Sequence, residues 1–219
     1  MPNAAYELLD PRPIRQENPY TFFVPTEEEL AEIRPGQSVK LMFRAIPPSD
    51  HYGAERMWVQ VTSCDADEFI GTLDNDPTDI PGLKDGDIVQ FKRHHIIGVI
   101  WDDPKHKTRF ADDLDRWFAR CFVDPAVLEG RARVGLLYRE APEHRETDKY
   151  PDTGWRIRAD VDQLSDEEYN DDTVSYVAIG KVLNRDDSFL HLLDSPIGSA
   201  FLRHKGDRFE PNTVEYQDE

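Results

Sequence analysis

The sequence predicts an α+β protein of two small domains, each a mainly antiparallel sheet with flanking short helices. Three observations lead there. Apolar residues alternate with polar ones at period two through much of residues 38–101, the signature of half-buried strands. A capped helical pattern precedes these strands, and others follow them. A charged stretch from Asp102 to Asp115, "DDPKHKTRFADDLD", then interrupts the apolar pattern and marks a junction. The expected organisation is an N-terminal α+β domain over residues 1–103, a junction with a short helix over 104–118, and a second α+β domain over 119–219.

In chain order, "VPTEEELAEIRPG" opens with Thr26 and Glu29 at capping-box spacing, and Leu30 and Ile33 give its helix an apolar side before Pro35-Gly36 ends it. "SVKLMFRAI" alternates Val39, Leu41, Phe43 and Ala45, "ERMWVQVTSC" alternates Met57, Val59 and Val61, and "FIGTL" adds a third strand. Turn residues in "DNDP" and "KDG" break the pattern before "DIVQF" and "HHIIGVIW" resume it. Leu114, Trp117, Phe118 and Cys121 then fall on one side of a short helix. The strands "RVGLLYRE" and "WRIRA" flank a polar excursion, and an acidic stretch follows. In "VSYVAIGKVL" the spacing of Val174, Val177, Ala178 and Val182 predicts a helix, with a further helical turn in "SFLHLL".

The formal charge is -18, from 44 acids against 26 bases in 219 residues. A surface of this sign repels phosphate backbones and anionic lipid and speeds encounter with a basic protein. Nucleic acid and membrane are therefore not expected partners. A hydrophobic content of 38% with 11% aromatics is too rich in core-forming residues for a disordered acidic chain. The longest apolar run, "IIGVIW", is too short to span a bilayer and no cationic-then-apolar leader opens the sequence, which predicts a cytoplasmic protein. Cys64 and Cys121 lie far apart without a CxxC pattern and are expected as reduced, buried thiols.

"RVGLLYREAP", "GWRIRA" and "VSYVAIGKVLNRDDSFLHLLDSPIGSAF", with an acidic patch and a final strand, resemble the bacterial immunity protein 33 family over roughly Cys121 to Phe209. The N-terminal "ERMWVQVT", "FIGTLDNDP" and "GLKDGDIVQF" are similar to another small bacterial domain. The resemblance implies an α+β fold and an immunity-type protein that neutralises a cognate bacterial toxin. It supplies no catalytic residues, no cofactor and no metal. The alternative is a regulatory or scaffolding module without a toxin partner.

"LLDSPIGSAF" is open to three readings. Ser195 or Ser199 could serve as a nucleophile with His191 or His204, although the spacing differs from G-x-S-x-G. Backbone N–H groups around Gly198 and Ser199 could form an anion nest, with Asp194 opposing. The structural reading makes the stretch a corner: Asp194 and Ser195 end a helical turn, Pro196 fixes φ, Gly198 permits a tight bend, and Phe201 returns to the core. Gly154, Trp155, Arg156, Asp194, Ser195, Pro196, Gly198 and Ser199 are thus expected to be structural. Trp155 reads as core, and Arg156 and Arg158 share a strand face where they offset acids.

Adjacent His94 and His95 would point to opposite faces of a strand and so could not chelate together. The acidic run lacks the D-x-[DN]-x-[DN]-G order of a calcium loop. Ser165 and Glu168 in it have capping-box spacing. The expected partner surface, for a basic toxin domain, is Asp160, Asp162, Asp166, Glu167, Glu168, Tyr169, Asp171 and Asp172. No Lys or Arg occurs between Ala159 and Gly180, and Tyr169 and Tyr176 are either aromatic anchors or packing residues. Enzymatic activity is not expected, and the sequence does not reveal an oligomeric state.

Overall fold

A six-stranded antiparallel sheet organises the first part of the chain. The computed structural model describes residues 6–111, 114–144, 149–169, 173–204 and 208–212, with Tyr169 described by its backbone alone. Two compact units result: Met1–Glu17 with Phe22–Asp112, and Asn18–Thr21 with Asp113–Glu219. Both are sheets with short helices, the α+β class the alternation predicts.

In the first unit, β1 (Tyr6–Leu8) precedes α1 (Arg12–Glu17) and α2 (Glu27–Ala31). The strands β2 (Ser38–Ala45), β3 (Glu55–Asp65), β4 (Glu68–Leu73) and β5 (Ile88–Lys92) follow. They pair in the order β1-β2-β3-β4-β5, and β6 (Gly98–Ile100) also pairs with β2. Val39, Leu41 and Phe43 of β2, Met57, Val59 and Val61 of β3, Phe69 of β4, and Val89 and Phe91 of β5 form the buried face. Each such side chain contributes about 1.5–3 kcal/mol when fully buried. Asp87, just before β5, lies within electrostatic reach of Tyr6 in β1. Burial, and then the Asp87 charge, push the Tyr6 phenol above its ordinary pKa.

Thr26 caps α2 through an Oγ1 that accepts from the Glu29 N–H at 3.1 Å, while the Glu29 carboxylate also accepts from the Trp101 indole at 2.9 Å. The charged stretch after Trp101 contains α3 (Pro104–Arg109), N-capped by Asp103. The expected strand through "HHIIGVIW" begins instead with a 3₁₀ turn, Arg93–His95. That turn removes the strand alternation, so the His94 and His95 rings lie 4.2 Å apart rather than on opposite faces. Burial, and then His94, lower the His95 pKa.

The second unit contains α4 (Asp115–Phe118), β7 (Arg120–Val123), α5 (Pro125–Leu128), β8 (Val134–Arg139) and β9 (Asp152–Ala159). It continues with α6 (Asp166–Tyr169), β10 (Ser175–Ala178), α7 (Ile179–Leu183), β11 (Ala200–His204) and β12 (Arg208–Pro211). The sheet order is β10-β7-β9-β8-β11-β12, antiparallel except for the parallel β7/β9 pair. Cys121, Val123, Leu137, Trp155, Ile157 and Ala159 bury one face against α5, α7 and Phe189.

Three sequence expectations are corrected here. Of the two thiols expected to be buried, Cys121 is buried whereas Cys64, near the end of β3, is half-buried. Cys121 does not continue the helix after Phe118, because β7 starts two residues beyond α4. The single helix expected through Val174–Val182 is strand β10 up to Ala178 followed by α7, which places Tyr176 on a strand opposite Phe122, with ring centroids 4.8 Å apart. "SFLHLL" ends in a 3₁₀ turn, Leu190–Leu192.

Residues 18–21 complete this second unit. The Tyr20 N–H donates to Asn184 Oδ1 at 2.9 Å, and Asn184 Nδ2 donates to Thr21 Oγ1 at 2.6 Å. The Tyr20 hydroxyl bonds Asp187 at 2.9 Å, and its ring lies 5.3 Å from that of Trp117.

Candidate functional site

The stretches around Gly154 and Pro196, about forty residues apart in sequence, meet at one corner of the second unit, and Arg139 joins them. As the last residue of β8, Arg139 stands opposite Trp155 of β9 in the antiparallel register. Its Nη1 donates to the Ser195 carbonyl at 2.6 Å and to the Leu193 carbonyl at 3.4 Å, and its Nε donates to the Thr153 carbonyl at 3.0 Å. Its backbone N–H donates to the Ser199 carbonyl at 2.8 Å and its carbonyl accepts from the Gly198 N–H at 2.7 Å. The Trp155 indole donates to the Leu193 carbonyl at 3.3 Å.

Within the corner, the Ser199 N–H donates to the Pro196 carbonyl at 3.2 Å, and Gly198 at φ +90° occupies the position of a type II turn that requires the left-handed region. Gly154 has φ +82°, and a Cβ there would lie 2.2 Å from the Glu140 carbonyl oxygen. Trp155 is buried in the core. Asp194, by contrast, puts its carboxylate into solvent, 84% exposed, where it pairs with Arg116 at 3.1 Å. In the sequence nothing marks Arg139 beyond its place at the end of "GLLYR".

Behind this corner lies a buried ion pair. The Asp152 carboxylate accepts from Arg156 Nη1 and Nη2 at 3.2 and 3.1 Å, from the Gly154 N–H at 3.0 Å and from the Glu143 N–H at 2.8 Å. Burial alone would raise the Asp152 pKa; the Arg156 bonds and the two backbone donors outweigh it and hold the carboxyl below its usual range. Burial lowers the Arg156 pKa in turn, and its bonds to Asp152 and Glu140 more than reverse this. Arg158, two residues along, pairs with Asp124 at 3.1 Å.

The acidic run borders a groove of about 660 Å³. Asp160 caps the 3₁₀ turn Val161–Gln163 and accepts from Gln163 Nε2 at 2.6 Å. Asp162, Asp166 and Glu167 are exposed. The Ser165–Glu168 capping box forms in both directions, at 2.9 and 3.3 Å, and Glu168 also pairs with Arg131. Residues 171–172, which hold Asp171 and Asp172, and the side chain of Tyr169 lie outside the described residues. Leu136, Leu164 and Leu202 line the groove, along with Val161, which is 58% exposed. The structure brings cations to this acidic stretch that sequence distance conceals. Arg131 meets Glu168, Arg158 lines the groove beside Asp124 and Asp160, and Arg203, paired with Asp186, lines it from β11.

Among the described residues, no group of three or more His, Cys, Asp and Glu could hold a metal ion, and no helix is long and apolar enough to cross a membrane. Residues 121–213 match the family described as the immunity protein Imm33 domain. No curated protein and no solved structure matches the chain. The match falls in the C-terminal half, over the span whose motifs resemble that family.

Proposed function

We propose that this protein is an immunity-type binder that neutralises a cognate bacterial toxin by covering it with the acidic border of the groove beside β8, β9 and β11. The partner is a toxin domain with a basic surface, and the action is binding without covalent chemistry. One observation carries this reading: exposed carboxylates stand beside an apolar floor. Asp162 lines the groove and is exposed, and Asp166 and Glu167 are exposed on the helix that follows. Val161 and Leu202, at 58% and 38% exposure, offer apolar contact in the groove beside Arg158 and Arg203, which pair with Asp124 and Asp186. Carboxylates at a rim steer a cationic partner and apolar residues at the centre supply affinity. Glu168 contributes less to this field, because Arg131 offsets its charge.

Co-expression with toxins encoded beside the gene tests the proposal. Wild-type protein is expected to protect cells and to copurify with one toxin. The double variant Asp162→Lys/Glu167→Lys is expected to slow association about tenfold at low ionic strength, with the difference shrinking as salt rises. Val161→Asp is expected to speed dissociation. Absence of protection against every neighbouring toxin would overturn the proposal and leave the regulatory or scaffolding alternative in its place. Unchanged association by the charge-reversed variant would remove the acidic border from it.

A further inference from the structure

A second concavity of the second unit, about 620 Å³, opens at the corner that Arg139 builds. Its size falls within the range of small-molecule sites. Its charge runs against that of the chain, because Arg116, Arg139 and Lys149 all line it. The half-buried Arg139 spends its Nε and Nη1 on neutral carbonyls, and no carboxylate pairs with it among the described residues. Its Nη2 makes no hydrogen bond among them. The Lys149 ammonium likewise has no carboxylate partner among the described residues and lies 5.0 Å from the Tyr150 ring centroid. A guanidinium partly withdrawn from water without a counter-charge favours a bound anion.

Two acids share the lining, Asp115 and Asp194. Both are exposed, and Asp194 reaches Arg116 at 3.1 Å with 84% of its side chain in solvent. The Asp194–Arg116 pair is thus a solvent-exposed one, worth little by itself. Apolar surface completes the concavity: Tyr150, stacked on Phe118 at 5.3 Å, together with Ile179 and Leu193.

We propose that this cavity binds a small organic anion, a carboxylate or phosphate carried on a planar ring. The anionic group meets Arg139 and Lys149, and the ring lies against Tyr150. The site shares no lining residue with the groove proposed to meet a toxin and does not depend on that reading.

Phenyl phosphate and benzoate serve as probes, with neutral benzamide and inorganic phosphate as controls, titrated at millimolar concentration into the full chain. The readout is the indole N–H resonance of Trp155, identified by its loss in Trp155→Phe; its bond to the Leu193 carbonyl places it at the cavity wall. Phenyl phosphate or benzoate is expected to shift it, while benzamide does not and inorganic phosphate binds more weakly than phenyl phosphate. Lys149→Ala is expected to weaken binding about tenfold by removing a charge-assisted contact, and Asp194→Asn to tighten it severalfold by removing the competing carboxylate. Both side chains are exposed, so neither change threatens the fold. No shift with either ring-bearing anion, or affinities that remain within twofold in both variants, would overturn the proposal.

Discussion

Asp152→Asn separates the charge of the buried pair from its shape. In the native protein one carboxylate oxygen accepts from the Gly154 N–H and Arg156 Nη1, and the other from the Glu143 N–H and Arg156 Nη2. An asparagine keeps one such oxygen, and in either orientation its amide faces one backbone N–H and one guanidinium N–H. Losing a charged hydrogen bond costs about 1.5–3 kcal/mol and orphaning a buried donor about 1–3 kcal/mol. Together these make about 2.5–6 kcal/mol, a span that brackets the roughly 3–5 kcal/mol that breaking a buried ion pair costs. The Glu140 carboxylate, 3.0 Å from Arg156 Nε, keeps part of the guanidinium charge compensated and favours the lower end.

The assay is urea unfolding at pH 7 and again at about pH 3. A carboxyl held below its unfolded value of about 3.9 adds stability that is complete above that value and fades as pH falls through the folded value. The gap between wild type and Asp152→Asn should therefore narrow in acid. A loss below about 1 kcal/mol at pH 7, or a gap of equal size at both pH values, would refute the assignment of a buried, charged Asp152.

The two left-handed glycines make a contrasting pair. Gly198→Ala meets no atom within 4 Å, so it should cost only the backbone penalty of about 1–2 kcal/mol. Gly154→Ala adds the encounter with the Glu140 carbonyl and should destabilise by clearly more in the same unfolding assay. The thiols should also differ. Burial pushes the Cys121 thiol far up, so it should resist alkylation in the native protein, whereas half-buried Cys64 should react first under mass-spectrometric timing. Equal labelling rates without denaturant would contradict this.

The strands of the first unit were legible because each buries one face, so Val39, Leu41 and Phe43 write their burial into alternate positions. The corner at Pro196–Ser199 was legible for a similar reason, since turn chemistry is local. Legibility failed where one element runs into the next without punctuation. Ala178 ends β10 and also precedes α7, with no capping side chain, so Val174, Val177 and Val182 read as one helical face. Asp115–Phe118 and Arg120–Val123 merged for the same reason. The candidate sites were hidden by distance along the chain. Nothing near Glu168 announces Arg131, and nothing near Ser195 announces that its carbonyl is held by Arg139, 56 residues earlier.

The tie between Tyr20 and Asn184 gives the matched segment a dependency on chain that its own boundaries omit. Tyr20 leaves the ribosome 164 residues ahead of Asn184, which at ordinary synthesis speeds is roughly 8–33 s of waiting. A gene fragment trimmed to begin at residue 121 discards the Tyr20 and Thr21 partners of Asn184 and the Tyr20 hydroxyl bonded to Asp187. Expression of the matched segment alone thus calls for supplying residues 18–21 as well, either by circular rearrangement or as an added peptide.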